Sequence, residues 1–179
     1  MTYARTAHQR GTDRERGQRL ETYVRDHLGD FLVDNSESTQ RLDFWVPGFY
    51  TEVKGKYQEI GDRWMKHWPA LAEPNAFILD ELSVRKALDK WPHAYFVLVD
   101  AVHEGQERWF LASVAEVACA DRARLNRKTQ RVFKGKWILN LAQFTELDAS
   151  LTGLRERVMA DITDLPWKRS DCLVAAASV

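Results

Sequence analysis

With 179 residues, the chain has room for one domain with a genuine core and too little for two of ordinary size. Apolar residues make up 45% and charged residues 29%, shares that exclude a disordered polyelectrolyte and a membrane-embedded chain. Twenty-six basic side chains balance 26 acidic ones, which argues against coating of nucleic acid by bulk charge and leaves that task to a local patch.

Residues 1–12 read as a polar, basic arm. Gly17, Leu20, Val24 and Leu28 then recur at helical spacing, and Gly29 supplies a stop, which predicts a helix over 13–28. Phe31 to Val33 reads as a short strand and Asn35 to Thr39 as a loop. Two alternating stretches follow, Arg41 to Val46 and Phe49 to Lys54, parted by Pro47 and Gly48 as the centre of a tight turn.

The stretch from Tyr57 to Pro74, with Trp64 and Trp68, predicts a short helix among loops. Val84, Ala87, Leu88 and Trp91 share one face of a helix over 81–90, with Asp80 as its cap and Pro92 as its stop. Ala94 to Ala101 is nearly all apolar, the pattern of a strand buried on both faces, and 107–113 returns beside it as a second hairpin. Lys136 to Leu141 reads as a strand, and Leu147, Leu151, Leu154 and Val158 lie on one face of a last helix. One domain over 1–163, followed by a loosely held tail over 164–179, gives an α/β fold: a mixed central β-sheet flanked by helices.

The chemistry concentrates at the first hairpin. If Pro47 and Gly48 are the turn, Val46 faces Phe49, Trp45 faces Tyr50, Phe44 faces Thr51, and Asp43 therefore faces Glu52. Lys54 emerges on the face of Glu52, while Phe49, Thr51 and Val53 point the other way. Opposed like charges destabilise a strand pair unless a cation compensates them. Lys54 supplies part of that charge, and hard carboxylate oxygens suit Mg²⁺ or Mn²⁺ for the rest. The plainer reading is a surface hairpin with one ordinary ion pair, worth at most about 1 kcal/mol.

Elsewhere, Arg122, Arg124, Arg127, Lys128, Arg131, Lys134 and Lys136 form a basic stripe without an acidic residue, able to meet phosphates or simply to face solvent. Lys56 continues the direction of Lys54 toward a phosphate, and Arg85 and Lys86 stand near the same cleft or on the plain surface. Tyr57, Trp64 and Trp68 suit base stacking or lid packing. Cys119 and Cys172, like His67, His93 and His103, show no metal-ligand spacing, which fits a reducing, cytoplasmic protein without a zinc centre. Neither a signal peptide nor a membrane span is read.

Arg41-Leu42-Asp43 and then Phe49-Tyr50-Thr51-Glu52-Val53-Lys54, preceded by the helix bearing Gly17 to Glu21, resemble the PD-(D/E)xK nuclease superfamily over about residues 11–113. The resemblance implies a restriction-endonuclease-like sheet, Asp43 and Glu52 as metal ligands joined by the Val53 carbonyl, and Lys54 beside the attacking water. It also implies a helix glutamate turned to the metal. Glu21 is the better match because it shares a face with Gly17, Val24 and Leu28; Glu15 is the alternative. The family's proline before the first aspartate is Leu42 here. The expectation is a Mg²⁺-dependent DNA endonuclease, similar to the compact, often dimeric enzymes of recombination and repair that cut branched DNA, Holliday junction resolvases among them. A homodimer is expected on the same ground. An exonuclease or restriction-type enzyme would share the core, and a module that keeps the fold without hydrolysis would only bind nucleic acid.

Overall fold

The computed structural model describes residues 7–28, 33–36, 41–46, 48–127 and 132–163. In chain order these form α1 (Ala7–Leu28), β1 (Val33–Asp34), β2 (Phe44–Val46), β3 (Phe49–Lys56), α2 (Asp62–Met65), β4 (Ala76–Asp80), α3 (Glu81–Leu88) and β5 (Ala94–Asp100). Then come β6 (Arg108–Ser113), α4 (Val114–Ala118), β7 (Asp121–Arg127), β8 (Val132–Asn140), β9 (Thr145–Leu147) and α5 (Thr152–Thr163). Six strands make a mixed sheet in the order β1-β2-β3-β5-β6-β9, with β3 and β5 parallel and the other neighbours antiparallel. A second sheet, β4-β8-β7, is antiparallel throughout.

The centre is β5, buried along its whole length as its apolar run predicts. Tyr95, Val97 and Val99 join one core cluster with Leu20, Val24 and Leu28 of α1 and Leu154 and Val158 of α5. Ala94, Phe96 and Leu98 join a second cluster, shared with Val84 and Ala87 of α3, Val117 of α4, Phe77 and Leu79 of β4 and Leu139 of β8. Side chains of a strand alternate faces, so one seven-residue strand nucleates both cores.

Several expectations change. Helix α1 begins at Ala7, not near Asp13: the arm preceding Gly17 contains no proline, and its one glycine, Gly11, is carried within the helix by helix-tolerant neighbours. The strand read at Phe31 begins at Val33, with Phe31 and Leu32 outside the described residues. Strand β4 was not expected: its apolar core of Phe77, Ile78 and Leu79 is short and runs straight into α3. The basic stripe is a hairpin of β7 and β8, in register from Asp121↔Ile138 to Arg127↔Val132, so the second sheet also goes beyond the expected single one. Leu147 belongs to β9 and the last helix starts after it, although its side chain does share a core with Leu151, Leu154 and Val158. Asp80 precedes α3 but makes no side-chain cap bond; it pairs with Lys136.

Gly55 lets α1 lie close to β3. A Cβ there would stand 2.5 Å from the Tyr57 ring and 2.7 Å from Leu20 Cδ1. Gly55→Ala is therefore expected to cost about 1–3 kcal/mol in urea denaturation. By contrast, Gly17→Ala, with open space around the new methyl, is expected to add roughly 0.5–1 kcal/mol through helix propensity. Equal effects of the two would contradict the tight α1–β3 contact.

Candidate active site

The β2–β3 register is Phe44↔Thr51, Trp45↔Tyr50 and Val46↔Phe49, as the tight turn requires. The ladder ends there, because Asp43 lies just outside β2. Val53, the next residue of β3 to face β2, donates its N–H to Asp43 Oδ2 at 2.7 Å. The Tyr50 N–H donates to His93 O beside β5, so by alternation the odd residues of β3 turn both backbone groups toward β2. The Val53 carbonyl thus opens into the same ladder end as the Asp43 carboxylate.

Side chains at even positions of β3 face α3. Ser83 of that helix donates its hydroxyl to Glu52 Oε1 at 3.4 Å. Lys54 Nζ lies 2.8 Å from Glu52 Oε1 and 3.0 Å from Val53 O, bridging the two. Asp43 and Glu52 are only 6% and 2% exposed. Glu52 Oε2 is buried with no hydrogen-bond partner. Thr51 Oγ1, Tyr57 OH and Trp137 Nε1 share that condition, but they belong to neutral groups, for which burial costs far less.

The electrostatics show how crowded the negative charge is. Burial pushes the Asp43 carboxyl up to about 6; Lys54 opposes this, Glu52 adds to it, and the Val53 N–H and Lys86 pull back. Burial likewise pushes Glu21 up to about 7, reinforced by Asp43 and Glu52 and opposed by Lys54. For Lys54, burial favours the neutral form, but Glu52 and then Asp43 outweigh it and hold the ammonium above its ordinary range. Three carboxylates and Lys54 therefore act on one another, with Lys86 anchored nearby on the Arg41 carbonyl at 3.2 Å.

The structure brings Asp43, Glu52, Val53 and Lys54 together and places half-buried Glu21 within their electrostatic reach, whereas Glu15 is exposed. Among the described residues, no group of three or more His, Cys, Asp or Glu side chains is arranged to hold a metal ion, so Glu21 does not complete a ligand trio. Lys56 does not extend to a cleft for phosphate: it is buried, with its ammonium 3.0 Å from Glu73 Oε1 and 3.2 Å from the Glu73 carbonyl. In the basic stripe, Arg122 stacks over the Trp137 ring at 4.3 Å and Lys136 pairs with Asp80. Lys128 and Arg131, and the side chains of Arg124, Arg127 and Lys134, lie outside the described residues. Tyr57 packs on the first core cluster, and Trp64 and Trp68 stack on each other at 6.1 Å.

Sequence reasoning missed Ser83 and left Lys86 between the cleft and the plain surface. Both follow from α3 once its apolar face is fixed, since Ser83 adjoins Val84 and Lys86 adjoins Ala87 on the edge of that face.

No protein-family model, curated protein or solved structure matches the chain. The likeness to the PD-(D/E)xK nucleases therefore rests on the motif residues and the order of elements that carries them.

A carboxylate with a raised folded pKa keeps a proton that the unfolded chain releases. Between the ordinary values of 3.8 and 4.5 and the raised ones of about 6 and about 7, the folded state binds more protons, so stability falls as pH rises. Metal-free protein is expected to lose stability across that window relative to an Asp43→Asn, Glu21→Gln double variant. Urea midpoints measured in EDTA from about pH 4 to about pH 8 check this. Parallel curves for the two proteins would remove the charge crowding from the account.

Proposed function

We propose that this chain is a Mg²⁺- or Mn²⁺-dependent nuclease that hydrolyses phosphodiester bonds in DNA on a restriction-endonuclease-like sheet. The observation that carries the reading is Glu52 Oε2, a buried carboxylate oxygen without a partner, beside the Asp43 carboxylate and the Val53 carbonyl. Such an oxygen is costly to leave unmatched, and a cation answers the cost most directly. Two carboxylates and a carbonyl fit a hard ion that retains waters and takes further oxygens from a phosphate.

Asp43, Glu52 and the Val53 carbonyl would hold the metal. When bound, it supplies a water of lowered pKa and a polarised phosphoryl oxygen. Lys54 is held charged by its neighbours, which makes it a hydrogen-bond donor to the attacking water and the phosphate oxygens rather than a general base. Backbone phosphates would follow the β7–β8 hairpin through Arg122, Arg124, Arg127, Lys128, Arg131, Lys134 and Lys136. Endonucleolytic cutting of branched DNA by a homodimer, in the manner of Holliday junction resolvases, is the narrower form of the proposal. Exonuclease and restriction-type action are its alternatives.

A second reading has its own support. Glu52 is already paired with Lys54, Asp43 already caps Val53, and no third carboxylate completes a ligand group among the described residues. The chain would then bind nucleic acid without cutting it.

One assay separates the two. Incubation with junction, duplex and single-stranded DNA is expected to give Mg²⁺-dependent cleavage that EDTA abolishes. Glu52→Gln and Lys54→Ala are each expected to lower kcat by about 100-fold or more, with Lys54→Ala largely sparing metal binding by calorimetry. Intact DNA in every wild-type reaction, with binding retained, would replace the hydrolytic reading by the second one.

A further inference from the structure

Two residues before Glu52, and therefore roughly 7 Å along the same face of β3, stands Tyr50. Its cross-strand partner is Trp45, two residues after Asp43. The two rings are nearly parallel, at 11° with centroids 6.2 Å apart, and each is only partly buried. Trp45 is also in register with Val33 of β1, which is 48% exposed. A row of Val33, Trp45 and Tyr50 thus crosses the sheet next to the row of Asp43 and Glu52. Two cations accompany it: Lys90 Nζ lies over the Tyr50 ring, 5.4 Å from its centre, and Lys86 stands at the Arg41 carbonyl.

Apolar packing explains Tyr50 in part, since one side of it meets the second core cluster. It does not explain an indole kept partly exposed at the far side of the pair. Resting on the nuclease reading of the adjoining carboxylates, we infer that the Trp45–Tyr50 pair is a stacking platform for an unpaired nucleobase beside the scissile phosphate. The substrate class is therefore single-stranded, or locally unpaired, DNA at the point of cutting. The chemistry is matched in both parts. The indole face of Trp45 takes any base by its π surface, and the ammonium groups of Lys86 and Lys90 take the flanking phosphates. A base inside an intact duplex is stacked on both sides and cannot occupy the platform without leaving the helix. The tryptophans considered from sequence, Trp64 in α2 and Trp68 just after it, are stacked on each other, whereas Trp45 is on the strand that follows Asp43.

The test uses the full chain in EDTA, so that binding is read without cutting. The probes are a fluorescein-labelled oligothymidylate and a blunt duplex of equal length, followed by anisotropy. Trp45→Leu, which keeps apolar bulk and removes the ring, is expected to weaken oligothymidylate binding by about tenfold or more and to change duplex binding by less than about twofold. Trp45→Phe is expected to restore most of the loss, with unchanged urea midpoints guarding against misfolding. Wild-type affinity of Trp45→Leu for the single strand would overturn the platform, and so would equal weakening on both probes. Concentration-dependent self-association lost in Trp45→Leu, with DNA binding intact, would assign the face to a second copy of the chain and overturn it too. A Mg²⁺ arm keeps the two readings apart. If no DNA is cut but the ring-dependent preference persists, the platform stands and the hydrolytic assignment fails. If DNA is cut and Trp45→Leu cuts single strands as the wild type does, the platform alone fails.

Discussion

The site depends on one substitution in a hydrogen-bond ladder. Where β2 stops, a side-chain oxygen of Asp43 takes the Val53 N–H that a backbone carbonyl would otherwise have accepted. That single bond does three things. It satisfies a buried donor, fixes a carboxylate opposite Glu52, and leaves the Val53 carbonyl at an open end of the sheet. An asparagine could make the same bond without the charge. The presence of a carboxylate there, at 6% exposure and beside another at 2%, is the feature that packing alone does not require.

The rest of the fold makes the crowding tolerable. The Val53 face of β3 is packed against apolar side chains of α1 and α5. The Glu52 face meets α3, which brings a hydroxyl from Ser83 and an ammonium from Lys86 rather than more hydrocarbon. Helix α3 is in turn fastened to the second sheet, where the Glu81 carboxylate accepts the Gly135 N–H at 2.9 Å. The sheet that carries the basic stripe and the helix that borders the carboxylates are thereby one packed unit. A second polar row lies at the other end of β3, where Lys56 pairs with Glu73 and the neighbouring Asp100 with Arg108. Those charges are matched one to one, whereas at the Asp43 end Lys54 faces three carboxylates.

The hairpin register, the doubly buried β5 and the face of α3 were legible because each is written in a local period or turn signal. The turn signal of Pro47-Gly48 implies the observed pairing from Val46↔Phe49 to Phe44↔Thr51, and the run from Ala94 has no competing helical reading of adequate length. The omissions have equally local causes. In β7 the alternation of Arg122, Ala123, Arg124 and Leu125 has period two, but the density of charge masks it. Helix α4 carries a capping box, Ser113 with Glu116, yet it is only five residues long and follows a strand without a gap. Lys56 has the same parity as Lys54 and nothing nearby in sequence marks it as different. Its partner Glu73 arrives from a loop 17 residues later, and such a tertiary pairing leaves no trace in spacing.

Lys54 links stability to the proposed chemistry. Its ammonium bridges Glu52 Oε1 and the Val53 carbonyl, two of the oxygens that a divalent ion would need. Under the hydrolytic reading the lysine and the metal compete for these oxygens. A cation of double charge would offset the mutual repulsion of Asp43, Glu52 and Glu21 better than one ammonium can, and Glu52 Oε2 is an oxygen without a partner that could help to hold it. Asp43, Glu52 and the Val53 carbonyl would hold the ion, and the Lys54 ammonium would stand beside it as a donor to the negative charge that a phosphate gathers in the transition state. In the metal-free fold the same lysine prevents the carboxylates from driving the hairpin apart. One side chain, 33% exposed beside a buried acid, thus serves as the counterion of the carboxylates, and under the hydrolytic reading it would also serve as an electrostatic donor.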